Sequence, residues 1–245
     1  MNRILLIETA TDVCSVAIAD GEQIVSAEHI SEAKSQASRL APMILDIMDR
    51  ADTPADRLAA VAVSSGPGSY TGLRVGVSTA KGICFGAGIP LIGIETLTII
   101  AFGAMKTDEV KNSPEDTLII PMTDARRMEV YTALYDAAGR RLTDTAAIVL
   151  TPETFIEELE CHSRIVFTGD GAAKYEPMIP SKYRGKCIFI PSHPEAENMA
   201  VPAFRALQEK RFEDTAYFEP FYLKEFIAAD PSRKLEAVLH PDRHL

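Results

Sequence analysis

Shifting the chain by 114 positions lays Ile4 on Leu118, Thr9 on Thr123, Val16 on Val130 and Ala19 on Ala133 without a gap. Both stretches run strand, short polar turn, second strand, and then an Asp with a Gly close behind, Asp20-Gly21 in the first and Asp136 before Gly139 in the second. A chain that restarts its own plan is constrained to two related units, and 245 residues leave room for two modest ones.

In the first half, Ile4-Leu5-Leu6-Ile7 is a continuous apolar run of strand length, as expected for a strand buried on both faces. Cys14–Ala19 and Ile24–Ile30 read as a hairpin closed at Asp20-Gly21. The period then changes: Leu40, Met43, Ile44, Ile47 and Met48 form a helical stripe, with Pro42 predicting a kink or a late start. Leu58–Ser64 and Leu91–Ile94 follow as strands, Thr71–Ala87 and Thr96–Met105 as helices. The polar run Lys106–Asp116 is the domain boundary.

The second half repeats strands at Leu118–Ile120 and Ala146–Leu150, predicts a helix opened by Thr151 as N-cap with Pro152 behind it, and adds strands Arg164–Thr168 and Cys187–Ile190. A closing helix spans Glu195–Arg211, with Met199, Ala200, Ala203, Phe204 and Leu207 on one face, and it is free to pack back on the first lobe. The duplicated βββαβα plan is an α/β fold of two ribonuclease-H-like lobes, the actin, Hsp70 and sugar-kinase superfold. Its lobes are 1–106 and 107–224, with a tail at 225–245. Fold alone assigns no function.

Composition narrows the classes. Apolar residues make up 47% and charged ones 24%, which excludes intrinsic disorder. A formal charge of −10 excludes an autonomous nucleic-acid binder, so any RNA must be held with a partner's cations. Four cysteines without a Cys-x-x-Cys pair offer neither zinc nor redox chemistry. No apolar stretch reaches signal-peptide or membrane-span character, so a cytoplasmic protein is expected.

The segment Ser64-Ser65-Gly66-Pro67-Gly68-Ser69-Tyr70-Thr71-Gly72-Leu73-Arg74 stands where a buried strand hands over to a helix. Pro67-Gly68 suits the centre of a type II turn, and Ser69 or Thr71 can cap the helix. Gly66, Gly68, Ser69 and Thr71 are candidates for anion or nucleotide contact, since a helix N-terminus behind glycines attracts anions. The alternative is a tight structural turn. The loop matches neither a Walker A motif nor a dinucleotide fingerprint nor a nucleophile elbow. Arg74 opposes the helix dipole in the first turn and so suggests an anionic partner or a solvated side chain. Gly72, Gly76 and Ala80 form a small-residue stripe with Thr79 and Ile83 beside it, which serves either packing on its own sheet or a seam for a second subunit.

Together, Ile4–Ala10, Ser15–Ile18, Ser38–Ile44, Gly66–Arg74, Ala80-Lys81-Gly82, Asp124–Tyr131, Gly169–Ala172 and Pro220–Lys224 resemble the TsaB (YeaZ) family, once labelled glycoprotease-like. That resemblance implies work on N6-threonylcarbamoyladenosine at position 37 of tRNA, as a non-catalytic subunit with no metal or cofactor of its own. ATP or ADP is admitted only at the junction with partners. It implies partnership with the catalytic, metal-bearing paralogue TsaD and the ATPase TsaE, a homodimer when alone, and tRNA contact only through the complex. It further implies that the helices after Ser38 and Gly72 pair with a partner's, which favours the seam reading and an interface of Ser38, Leu40, Ile44, Gly72, Arg74, Gly76, Thr79, Ala80 and Ile83. Glu8 departs from the Asp usual in relatives.

Two enzyme readings compete. A metallopeptidase would need the only His pair at four-residue spacing, His240 and His244, which Pro241 interrupts. An ATP phosphotransferase would use Glu8 and Asp124 around magnesium and Gly169-Asp170-Gly171 as a nucleotide turn, yet Thr9–Val13 lacks a glycine and a lysine to cradle phosphates. Both leave isolated activity unexpected.

Overall fold

A computed structural model describes residues 2–31 and 36–223; the tail at 225–245, with His240 and His244, lies outside the described residues. The first sheet joins β1 (Arg3–Glu8), β2 (Cys14–Asp20), β3 (Gln23–Ile30), β4 (Ala60–Gly66) and β5 (Leu91–Glu95) in the order β3-β2-β1-β4-β5. The second joins β6 (Leu118–Asp124), β7 (Glu129–Thr132), β9 (Ala146–Val149), β10 (Ile165–Thr168) and β11 (Cys187–Ile190) in the order β11-β10-β6-β7-β9, with β8 (Tyr135–Asp136) paired to β6. Read from the other edge, the two orders are the same. In each sheet the first strand is central, antiparallel to the hairpin partner on one side and parallel to the crossover strand on the other. That position explains why β1 and β6 read as unbroken apolar runs.

Helix α1 (Gln36–Arg50) accommodates Pro42 in its interior, and α2 (Tyr70–Ala87) ends at Gly88, whose φ of +67° supplies the left-handed cap. Both cover one face of the first sheet, where Leu40, Met43, Ile44, Ile47, Val77, Ala80 and Cys84 pack on Leu5, Ile7, Val61 and Val63. Helix α3 (Thr96–Met105) is apolar all round because it is wedged between the sheets. Its Ile99 packs with Ile4 and Ile92 of the first sheet, and its Leu97, Ala101 and Ala104 pack with Ile119, Tyr135 and Val166 of the second. A single turn, α4 (Asp108–Lys111), sits in the polar boundary and buries only Val110.

Past β9 the expected helix start at Thr151 is replaced by a turn in which the Glu153 and Thr154 amides donate to Thr151, and α5 (Ile156–Cys161) begins five residues later. The threonines bond to one another (Thr151 N–H to Thr154 Oγ1, 2.9 Å), which offers the backbone a local alternative to helix. The closing helix is a 3-10 turn at Ala196–Met199 followed by α6 (Ala200–Gln208). It packs on the first sheet, opposite α1 and α2, with Met199, Ala200, Ala203 and Ala206 against Ile4, Leu6, Ala17, Ala60 and Ile94. From α6 the chain returns as a strap. Glu213 bridges to Leu91, Lys81 Nζ donates to the carbonyls of Ala216 and Phe218 at 3.0 Å each, and the Phe221 amide donates to Ser65 O at 2.7 Å. Among the described residues no helix is long and apolar enough to cross a membrane.

Candidate functional site

The glycine loop closes on its own lobe. The Gly66–Pro67 peptide is cis, and Gly66, at φ +106°, is the left-handed residue; Gly68 has no positive φ, so the expected type II turn is not made. Gly68 is required for another reason. A Cβ there would overlap the carbonyl oxygen of Ala10 and lie 2.7 Å from the Ala10 Cβ. The Ser69 amide donates to that carbonyl at 2.6 Å, and the Ser69 hydroxyl accepts the Gly72 amide at 3.2 Å, confirming Ser69 as the N-cap. A Cβ on Gly66 would sit 2.7 Å from Phe221 O of the strap. Two of the donors an anion would use at this helix start are therefore engaged within the chain. Arg74 lies over the Tyr70 ring, 4.4 Å from its centroid, which settles a cation in the first turn through the aromatic face, and Tyr222 of the strap lies 5.0 Å from that ring.

The stripe expected to be an exposed seam is buried. A Cβ on Gly72 would overlap the Thr9 carbonyl oxygen, one on Gly76 would overlap Thr9 Oγ1, and Ala80 is fully buried in the core under α2. These small residues let α2 approach the turn after β1, which is the intramolecular use of such a stripe. Leu40 and Ile44 are core residues of the same layer. Of the expected interface, Ser38 and Arg74 are exposed, while Thr79 and Ile83 are half-buried.

The surface the stripe was expected to supply lies on another face of α2. Ser78, Gly82 and Gly86 recur at four residues, all exposed, and a Cβ on Gly82 or Gly86 would meet nothing within 4 Å. Between them Phe85 is 87% exposed, and from the neighbouring α1 Leu45 is 67% exposed beside exposed Ala41 and Pro42. Large apolar side chains this bare, next to glycines that leave helix backbone accessible, make the outward layer of α1 and α2 a surface suited to another helix. In the sequence this is a second stripe of the same length and spacing as Gly72-Gly76-Ala80, farther from the glycine loop.

Between the lobes a cleft of about 760 Å³ is lined by Ala10–Asp12, Pro67–Thr71, Thr123–Arg126, Tyr131, Asp170 and the strap residues Phe221–Leu223. Its residues do not fit a magnesium nucleotide. Glu8 is wholly buried beneath the cleft, with Oε1 accepting the Ala10 amide at 2.5 Å, and burial pushes its carboxyl up to about 7 against the pull of its hydrogen bonds. Asp124 pairs with Lys174 Nζ at 2.6 Å and accepts the Arg126 amide at 2.5 Å; these contacts hold its carboxyl below the usual range even though burial pulls the other way. Asp170 accepts the Asp124 amide at 2.9 Å, so the Gly169-Asp170-Gly171 turn is tied to the end of β6, and Gly171 itself is packed on Met122 and Val130. Among the described residues no group of three or more His, Cys, Asp or Glu could hold a metal.

The family model for TsaD, tRNA N6-adenosine threonylcarbamoyltransferase, matches residues 27–229. The tRNA threonylcarbamoyladenosine biosynthesis protein TsaB of Escherichia coli K12 is 32% identical over 232 residues, 92% of this chain and 96% of that one. Its counterpart in Haemophilus influenzae is 30% identical over 90% of this chain and 93% of its own. Among solved structures, YeaZ from Pseudomonas aeruginosa superposes with a TM-score of 0.75 at 26% identity, covering 91% of this chain and all of that one. The inorganic polyphosphate/ATP-glucomannokinase of Arthrobacter, at 11% identity and a TM-score of 0.50, shares the two-lobed fold alone.

Proposed function

The chain belongs to the TsaB (YeaZ) family of tRNA threonylcarbamoyladenosine biosynthesis proteins, and on that premise we propose that it is a non-catalytic subunit that docks on the catalytic paralogue TsaD. The observation that carries the proposal is the bare outward layer of α1 and α2, where Phe85 and Leu45 stand exposed beside Gly82 and Gly86. Helix axes come to the close end of their usual range of about 8–10 Å where the side chains at the contact are small, and these two glycines supply such a contact. TsaD, built on the same superfold, offers equivalent helices for a pseudo-symmetric pair, and in its absence a second copy of this chain takes the place. The role is structural because, of the two acids that would hold magnesium, Glu8 is wholly buried beneath the cleft and Asp124 is paired with Lys174. With a charge of −10, the subunit contacts tRNA only within the assembly, where TsaD and TsaE contribute cations and the ATPase.

Co-elution of the purified chain with TsaD on size exclusion, paired with reconstitution of the tRNA modification, tests the proposal. Wild type is expected to co-elute and to be required for modification. Gly82→Leu and Phe85→Asp, both at open positions, should abolish co-elution while the far-ultraviolet circular dichroism stays unchanged. Undiminished association of both variants would remove the α1/α2 layer as the docking face. ATP hydrolysis by the isolated chain that is lost in Asp124→Ala would favour the phosphotransferase reading instead.

A further inference from the structure

A second cavity, of about 300 Å³, lies at the junction of the lobes away from the α1/α2 layer. Its walls come from the end of β5 (Gly93, Ile94, Glu95), α3 (Thr98, Phe102), the hairpin after β8 (Gly139, Arg141) and α6 with the turn beyond it (Pro202, Arg205, Arg211). Arg141, Arg205 and Arg211 therefore line the cavity with Glu95, and two carboxylates from outside its walls pair with them, Asp144 with Arg141 at 3.6 Å and Glu209 with Arg211 at 2.5 Å. The Glu95 carboxylate is already engaged on both oxygens. Glu95 Oε1 pairs with Arg141, and Oε2 accepts the Thr145 hydroxyl at 2.6 Å. The Arg205 guanidinium makes no hydrogen bond or ion pair to the described residues and lies 5.6 Å from the centroid of the Phe102 ring. Arg211 uses Nε alone, on Glu209 at 2.5 Å, which leaves both terminal nitrogens of its fork open.

The cavity is shaped, rather than left over. Gly139, at φ +80°, brings the hairpin tip so close that a Cβ there would lie 2.7 Å from Phe102 Cζ, the ring that also faces Arg205. The Tyr135 hydroxyl and Thr98 Oγ1, both in the lining, are hydrogen-bonded at 2.9 Å, which leaves one hydroxyl proton of the pair to donate to an oxygen. Open guanidinium forks over an aromatic wall match the geometry of a tetrahedral oxyanion, to which each fork can give two parallel hydrogen bonds.

We propose that this cavity binds a phosphate group, either free or as the monoester of a small metabolite, through the open nitrogens of Arg205 and Arg211. Because its walls come from the second-lobe hairpin at Gly139 and Arg141 as well as from α6 and the turn beyond it, the ligand sits between the lobes. The α1/α2 layer is on the opposite face of the first sheet, so occupancy is independent of partner docking.

Calorimetric titration of the isolated full chain with orthophosphate, and separately with ribose 5-phosphate, is the test, run at constant ionic strength in chloride. Wild type should bind saturably at a single site. The Arg205→Ala/Arg211→Ala double variant should weaken the better of the two ligands at least tenfold, with Arg205→Lys intermediate and circular dichroism unchanged throughout. Tighter binding of ribose 5-phosphate identifies a monoester as the ligand; tighter binding of orthophosphate identifies free phosphate. Absence of saturable heat in wild type, or equal affinity in the double variant, overturns the proposal. Since the readout needs neither TsaD nor tRNA, failure here leaves the docking proposal standing, and failure of docking leaves this one.

Discussion

Thr9 Oγ1 occupies the space that a Cβ on Gly76 would need, and the Thr9 carbonyl does the same to Gly72. Two glycines on one helix face are thus matched to one residue in the turn after β1. The helix pays about 1 kcal/mol for each glycine relative to alanine, and gains a close fit to the central strand's end.

Glycines on the two faces of α2 should consequently respond in opposite directions. Gly72→Ala forces a side chain against backbone and is expected to lower unfolding free energy by about 1–3 kcal/mol. Gly82→Ala enters open space and should raise it by up to ~1 kcal/mol through helix propensity. Urea unfolding of the two variants decides; a stabilised Gly72→Ala would mean that the turn at Thr9 does not lie where described.

Thr9 carries its own prediction, since its buried hydroxyl has no hydrogen-bond partner among the described residues. Thr9→Val keeps the shape and removes the unsatisfied group, so it should be neutral or stabilising by about 1 kcal/mol, whereas an ordinary buried Thr loses stability on this change. Thermal denaturation of the single variant checks it, a clear drop in Tm being the adverse result.

Glu8 makes stability fall as pH rises through the weakly acidic range. Its carboxyl is pushed up to about 7 from 4.5, chiefly by burial, so between those values the folded chain retains a proton that the unfolded chain has released. The contribution is present in full below the unfolded value and is lost as pH climbs to the folded one. The span corresponds to about 3 kcal/mol at most. Glu8→Gln, which cannot ionise, should therefore gain on wild type steadily from pH 4.5 to 7 and hold that gain above it. Parallel stability curves for the two proteins across this range would refute the assignment.

Lys81 pins the strap from α2, and no other cation reaches the carbonyls of Ala216 and Phe218 among the described residues. Lys81→Met retains the stem and removes both charge-assisted bonds, with an expected cost of about 1.5–3 kcal/mol in local stability. Limited proteolysis after residue 211 should quicken before the global Tm moves. Unchanged cleavage would show that Phe218, packed in the core, anchors the strap alone.

Much of this was legible in the residues. The apolar runs at Ile4 and Leu118, the hairpin at Asp20-Gly21 and the cap at Ser69 report local chemistry, and each stands where its pattern placed it. The direction in which a small-residue stripe faces was not legible. A helix period marks which residues share a side, yet Gly72-Gly76-Ala80 and Ser78-Gly82-Gly86 have the same spacing, and only the turn at Thr9, far off in sequence, distinguishes them. The strap and the arginine cavity are hidden for the same reason: Lys81 reaches Ala216, and Arg141 and Arg205 come to line one cavity, only after the chain has folded.

The exchange of helices between the sheets has a consequence for biosynthesis. On the ribosome, the first sheet can form once residue 95 has emerged, and Ile99 of α3 follows at once, but the rest of the cover over Ile4, Ala17 and Ala60 waits for Ala203 and Ala206, more than a hundred residues later. The nascent amino-terminal half must therefore wait, half clothed, for the closing helix, and severing the chain between the lobes would leave two orphans instead of two domains.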